Sequence, residues 1–179
     1  MTELNFKTTQ KVPAFATKRV FVIGVLNSKT GVVLAPSATE TLSIRHLNFE
    51  AIGVSAKAEQ ITRIPGPQGS VFALIGLEDG NTGADDLRRI AGAVSRNLSD
   101  FQDIVIDIPT SSAEQAFAVA EGAALGAYKF ENYKSTKTTS LAKPQSVTVV
   151  TSFKLSAAQL ERVKIEAMAV NFTRDLVNT

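Results

Sequence analysis

The chain of 179 residues has no cysteine, no tryptophan and a single histidine. Without Cys there is no disulfide, no thiolate nucleophile and no Cys-ligated metal. A catalytic zinc site gathers several His, Cys or carboxylate ligands, and one His, His46, cannot supply a Glu-bracketed His pair or a triad with spares. Only carboxylate sites are left to look for. No apolar run approaches the roughly 20 residues that a membrane helix needs. Residues 1–10 are polar and mixed in charge, with no apolar core of signal-peptide type. These absences predict a soluble, cytoplasmic protein with no membrane partner. The net charge is only +2 and the sequence pI about 8.9, too mild to argue for nucleic acid.

What is present is an ordinary globular balance, 44% apolar and 20% charged, in a length that suits one well-cored domain. Residues 20–26 are apolar and β-branched and read as a strand. A turn over 27–31 leads to a short strand over 32–35, stopped by Pro36. Thr39 is placed to cap a helix through Leu42, Leu47 and Ile52. Strands follow at 60–64 and 71–77, split by Pro65-Gly66-Pro67-Gln68-Gly69, which suits neither helix nor strand. The near-continuous apolar run over 71–77 marks a strand buried on both faces. Leu87, Ile90, Ala91, Val94 and Leu98 make one apolar helical stripe, with Thr82 as the expected cap and Asp85 and Asp86 in the first turn. A strand over 101–108 ends at Pro109. Ser111 and Glu114 form a capping-box pair for a second helix, in which Gly122 and Gly126 allow close backbone approach. Residues 131–143 read as an exposed, Thr/Ser-rich loop and 146–151 as a strand. Ser156 and Gln159 open a last helix. Alternating strands and helices argue for an α/β sandwich, a mixed sheet with helices on both faces.

The last helix carries two apolar stripes. Leu160, Val163, Ala167 and Val170 form one; Ile165, Met168, Phe172 and Leu176 form the other. At about 100° per residue they point to nearly opposite sides. One can cover the sheet, and the other needs a further partner. No Gly or Pro follows Leu176-Val177-Asn178-Thr179. The pattern predicts a downstream domain or an oligomer contact, with Ile165, Met168, Phe172 and Leu176 as the contact residues.

Two segments resemble the leucine (cytosol) aminopeptidase family of metallopeptidases. The first runs Ala120-Glu121-Gly122-Ala123-Ala124-Leu125-Gly126-Ala127-Tyr128-Lys129-Phe130-Glu131-Asn132-Tyr133-Lys134-Ser135. It is similar to the family's run near the end of its N-terminal domain. The second, Asn171-Phe172-Thr173-Arg174-Asp175-Leu176-Val177-Asn178-Thr179, is similar to the segment leading into the family's catalytic domain. The strand over 71–77 and the helix at Leu87-Arg88-Arg89 add weaker support. The resemblance implies a macro-domain-like N-terminal domain over 1–155 and a linking helix over 156–179. It implies that the catalytic domain, with two divalent metals (zinc or manganese) and the peptide-binding site, lies downstream. It assigns no catalytic, metal or cofactor residue to this chain, which by itself is not an enzyme. The expected partners are its own catalytic domain and further subunits, since family members assemble as hexamers.

Other features have plainer readings. Glu78, Asp79, Asp85 and Asp86 form the densest acidic cluster, but adjacent helical carboxylates diverge, and complementing the helix dipole explains the pair Asp85/Asp86. Gly76, Gly80 and Gly83 sit between a strand and a helix, where phosphate loops occur, without the spacing of either common phosphate motif. They keep open a stand-alone macro-like module for a nucleotide or ADP-ribose. Lys129, Lys134, Lys137 and Lys143, with Tyr128, Phe130 and Tyr133, keep open a nucleic-acid accessory domain, although a solvated loop anchored by its aromatics accounts for them. His46 reads as a partly buried helix residue. Ser111 and Ser112 read as caps, since no His follows to activate them.

Overall fold

The structure is a computed structural model that describes residues 4–39, 43–80, 82–128 and 146–177. The long apolar runs build the centre of a seven-stranded mixed sheet. β1 (Asn5–Thr9), β2 (Arg19–Ser28), β3 (Gly31–Leu34), β4 (Ile61–Pro65), β5 (Val71–Gly76), β6 (Asp103–Asp107) and β7 (Ser146–Val150) are joined with helices α1 (Ala84–Asn97), α2 (Ala113–Gly126) and α3 (Ala157–Val177). The sheet order is β1-β7-β6-β2-β5-β4. Neighbours from β1 to β5 run parallel, whereas β4 is antiparallel to β5. β6 pairs the first half of β2, and β3 pairs its last four residues antiparallel.

Residues 20–25 of β2 are fully buried, as a strand covered on both faces must be. Alternate side chains divide between two cores. Val20 and Val22 join Ala73, Ile75, Ile104 and Ile106 under the helices. Phe21, Ile23 and Val25 join Phe72, Leu74 and Val105 on the other face. The aromatic rings of Phe15, Phe21 and Phe72 meet edge-on there.

Among the described residues, all three helices contribute to the first core and none to the second. The expectation of helices on both faces is therefore corrected. Ile44, Phe49 and Val54, with the partly buried Val12 and Phe15, cover the second face from irregular backbone. The helix expected from Thr39 to Ile52 does not form over residues 43–52, which are turns. Asn48 accepts a hydrogen bond from Ala51 N at 3.2 Å through its own side chain, and the backbone reverses at Gly53 (φ 79°). That local side-chain bond competes with helix propagation. Leu42 lies outside the described residues.

Two helix starts are shifted by one residue. α1 is capped by Gly83 rather than Thr82, whose carbonyl instead accepts from Gln115 Nε2 at 3.1 Å. α2 is capped by Ser112, whose Oγ accepts from Gln115 N at 3.2 Å. Gln115 Oε1 in turn accepts from Ser111 N at 2.7 Å, so the box uses Gln115 and not Glu114. β1 was not expected: only Phe6 of its five residues is buried, and a polar edge strand shows little apolar pattern. The close approach expected of α2 is present. A Cβ on Gly122 would lie 2.0 Å from the Arg88 carbonyl oxygen, and one on Gly126 would lie 2.2 Å from that of Gly92.

Candidate functional site

The last helix is where sequence and structure point together. Ser156 Oγ accepts from Gln159 N at 3.2 Å, and Gln159 Oε1 accepts from Ser156 N at 2.9 Å, a reciprocal capping box that opens α3 as the sequence predicts. Twenty-one residues then run for about 31 Å. Val163 and Ala167 are buried, and with the half-buried Leu160 they pack chiefly against α2. The inner stripe thus rests on a helix more than on the sheet. Val170, assigned to it, is 38% exposed.

The opposite stripe is open. Ile165, Met168, Phe172 and Leu176 are between 58% and 65% exposed, and Val177 beyond them is 80% exposed. Scattered exposed apolar residues are ordinary, but four large ones in line on one helix form a patch of the kind that marks an interaction surface.

The two sequence segments that carried the resemblance meet at the end of α3. Tyr128 Oη donates to Asp175 Oδ1 at 2.6 Å. Arg174 Nη1 donates to the Leu125 carbonyl at 3.0 Å, and its guanidinium lies 5.4 Å from the centre of the Tyr128 ring. Leu125 is in the last turn of α2, which has no basic residue of its own there. A cation supplied from α3 therefore caps the negative end of α2. Nearer the start of α3, Arg162 donates to Glu166 Oε1 at 2.6 Å and lies 5.5 Å from the Phe117 ring centre. These contacts fix the helix and so fix where its outer stripe points.

The other candidate residues have structural partners. Arg88 pairs with Asp85, and its Nε donates to Glu121 Oε2 at 2.5 Å. Arg89 donates to Glu59 at 2.6 Å and reaches Asp86 at 3.5 Å. The hydrogen bond that Arg88 donates to Glu121 raises the Arg88 pKa, and the one that Arg89 donates to Glu59 raises that of Arg89. Glu78, Asp79 and Asp86 border a shallow open depression with Thr82 and Arg89. Among the described residues no three or more His, Cys, Asp or Glu are grouped so as to hold a metal ion.

Each glycine of the possible phosphate loop has another task. A Cβ on Gly76 would fall 1.9 Å from the Lys57 carbonyl, because Ala58 bridges to β5 there. Gly80 takes φ 80° in a turn, and Gly83 caps α1. His46 is exposed in a turn, which corrects the partly buried helical reading. Lys129, Lys134, Lys137, Lys143, Phe130 and Tyr133 lie outside the described residues, as do Asn178 and Thr179.

One polar centre escaped sequence reasoning. Asp107 ends β6, is 4% exposed, and its Oδ2 accepts from Ser37 Oγ (2.8 Å), Thr39 N (2.5 Å) and Thr39 Oγ1 (2.6 Å). The available signal was an acidic residue closing the apolar run Ile104-Val105-Ile106. It pins the segment that follows β3.

Residues 49–137 match the family described as "Cytosol aminopeptidase family, N-terminal domain". A probable cytosol aminopeptidase of Micrococcus luteus is 33% identical over 178 residues, which covers 91% of this chain and 35% of that protein. A tomato leucine aminopeptidase mutant superposes with a TM-score of 0.70 at 15% identity, covering 98% of this chain and 38% of the other. The bottromycin maturation enzyme BotP, solved in complex with Mn, gives a TM-score of 0.57 at 24% identity, over 91% of this chain and 32% of that one. The two structural likenesses speak for the fold alone. The chain spans about a third of the length of the curated relatives it matches.

Proposed function

Because the chain belongs to the cytosol aminopeptidase family as its N-terminal domain, we propose that it is the non-catalytic part of a leucyl aminopeptidase. In this reading residues 1–155 are a macro-like domain whose second layer is reduced to irregular segments, and residues 156–179 link it to a catalytic domain. The whole enzyme releases N-terminal residues from peptides in the cytoplasm as a hexamer. Its two metals, zinc or manganese, are held by residues outside this chain. Those metals would supply Lewis-acid activation of the hydrolytic water there. This domain supports that site by packing against the catalytic domain through Ile165, Met168, Phe172 and Leu176.

The observation that carries the reading is the pairing of coverage with exposure. The relatives align along nearly all of this chain and are about three times its length, and its last helix holds a line of large apolar side chains in solvent. The test compares the full-length protein with the 179-residue chain in Leu-peptide hydrolysis with added Mn or Zn. Activity is expected in the full-length protein and none in the chain. Turnover by the chain that survives rigorous purification, or an inert full-length protein in both metals, overturns the reading.

A further inference from the structure

The shape of the exposed stripe says what kind of surface covers it. Ile165, Met168, Phe172 and Leu176 are spaced three, four and four residues apart. Eleven residues return to within about 20° of three full turns, so the stripe runs almost parallel to the helix axis. At about 100° per residue its four members span only some 80° of the circumference. Charged residues border it on both sides. Arg162, 68% exposed and bonded to Glu166, lies on one flank; Lys164 and Asp175 lie on the other. The exposed Ala169 sits on the border beside Phe172 and lets a partner backbone come close.

A sheet face presents several rows of side chains about 4.8 Å apart and would bring apolar groups onto those charged flanks. A single helix has the same narrow, straight contact that α3 offers, at an axial separation of about 8–10 Å. We infer that one helix of the catalytic domain of the same polypeptide lies along α3, with Phe172 and Met168 at the centre of the contact. The inference rests on the proposed function for the identity of the partner. It adds that partner's secondary structure and its direction, nearly along α3. The clamp from Tyr128 to Asp175 and from Arg174 to Leu125 holds α3 in place for it.

The test uses the full-length protein with p-benzoylphenylalanine in place of Ile165, Met168 or Phe172, one position at a time. After irradiation the cross-linked peptides are mapped by mass spectrometry. Probe positions 165 and 172 are seven residues, about 10 Å, apart along α3. On a helical partner the capture site moves by about seven residues between those two probes; on a strand it moves by about three. A seven-residue shift within one downstream segment of the same chain is the expected result. A three-residue shift, capture scattered over unrelated segments, capture by another copy of this domain, or no capture overturns the inference. The underlying reading fails differently: the full-length protein then shows no peptidase activity, whatever the cross-links.

Discussion

At the scale of single residues, Asp107 is a buried carboxyl that gathers its partners tightly. Three donors converge on one buried oxygen, and Thr39, which supplies two of them, is itself 4% exposed. Removing the acceptor leaves the buried Thr39 hydroxyl unpaired, whereas Thr39 N keeps Ser37 Oγ at 3.1 Å as a second acceptor; one such loss costs about 1–3 kcal/mol. Asp107→Ala is expected to lower stability by about 1–3 kcal/mol in urea denaturation. An unchanged midpoint would mean that other acceptors take over. The glycines of the α1–α2 contact make an ordered prediction. A methyl on Gly122 meets backbone at 2.0 Å, whereas one on Gly92 meets chiefly the end of the Arg96 side chain at 3.2 Å. Gly122→Ala should cost about 1–3 kcal/mol or more, since two helix backbones must separate. Gly92→Ala should cost clearly less. Equal losses would contradict the close packing described.

At the scale of elements, α3 depends on its ends. The Ser156 box satisfies the first turn, so Ser156→Ala is expected to destabilise the domain by about 1 kcal/mol, read as a lower thermal midpoint. Tyr128→Phe keeps the ring under Arg174 but loses the bond to Asp175. It should cost about 1–2 kcal/mol and speed amide exchange in the last turns of α3 more than in β2. Uniform acceleration would show that the clamp acts on the whole fold and not on α3. The raised pKa values of Arg88 and Arg89 sharpen the expected pH response. A basic group raised in the folded state stabilises fully below its unfolded pKa and loses that effect only as pH rises through the folded value. For an arginine this window lies far above the neutral range, so these two guanidinium groups stay charged throughout it.

Legibility also divides by element. β2, β5, β6 and α1 were plain in the sequence because each buries much of itself and so must write its period in apolar residues. α3 buries only Val163 and Ala167, but its capping pair and its two apolar stripes at helical spacing were plain, and the exposed positions Ile165, Met168 and Phe172 follow from the second stripe. β1 was not, because an edge strand anchored by Phe6 alone is written mainly in backbone hydrogen bonds to β7. The irregular cover at residues 43–54 imitated a helix through the loose spacing of Leu47 and Ile52, of which Leu47 is half-buried and Ile52 is exposed. The caps slipped by one residue where neighbouring Ser111 and Ser112 offered equivalent hydroxyls. The junction of Tyr128 with Arg174 and Asp175 joins residues 46 or more positions apart, and no local pattern encodes such a meeting.

At the scale of the whole molecule, the described residues form a sheet with helices on one face, and the last helix turns an apolar line outward. Phe172→Asp tests whether that line belongs to the solvent or to a partner. In the 179-residue chain the site is 64% exposed, so stability should change by less than about 0.5 kcal/mol. In the full-length protein the same change buries a charge, and the thermal midpoint and peptidase activity should both fall. A full-length protein indifferent to Phe172→Asp would remove this stripe from the interface. A ligand screen addresses the competing binding-module reading: ADP-ribose and nucleotides should leave the melting temperature of the chain unchanged, whereas a specific ligand at 100 times its Kd would add about 2.7 kcal/mol.

The most direct measurement is the intact mass of the native polypeptide that carries this sequence, isolated from its source cells. The account predicts a mass far above 19.1 kDa, with tryptic peptides of a metallopeptidase domain following this one. A native polypeptide of 19.1 kDa would contradict it and give first place to a stand-alone binding module.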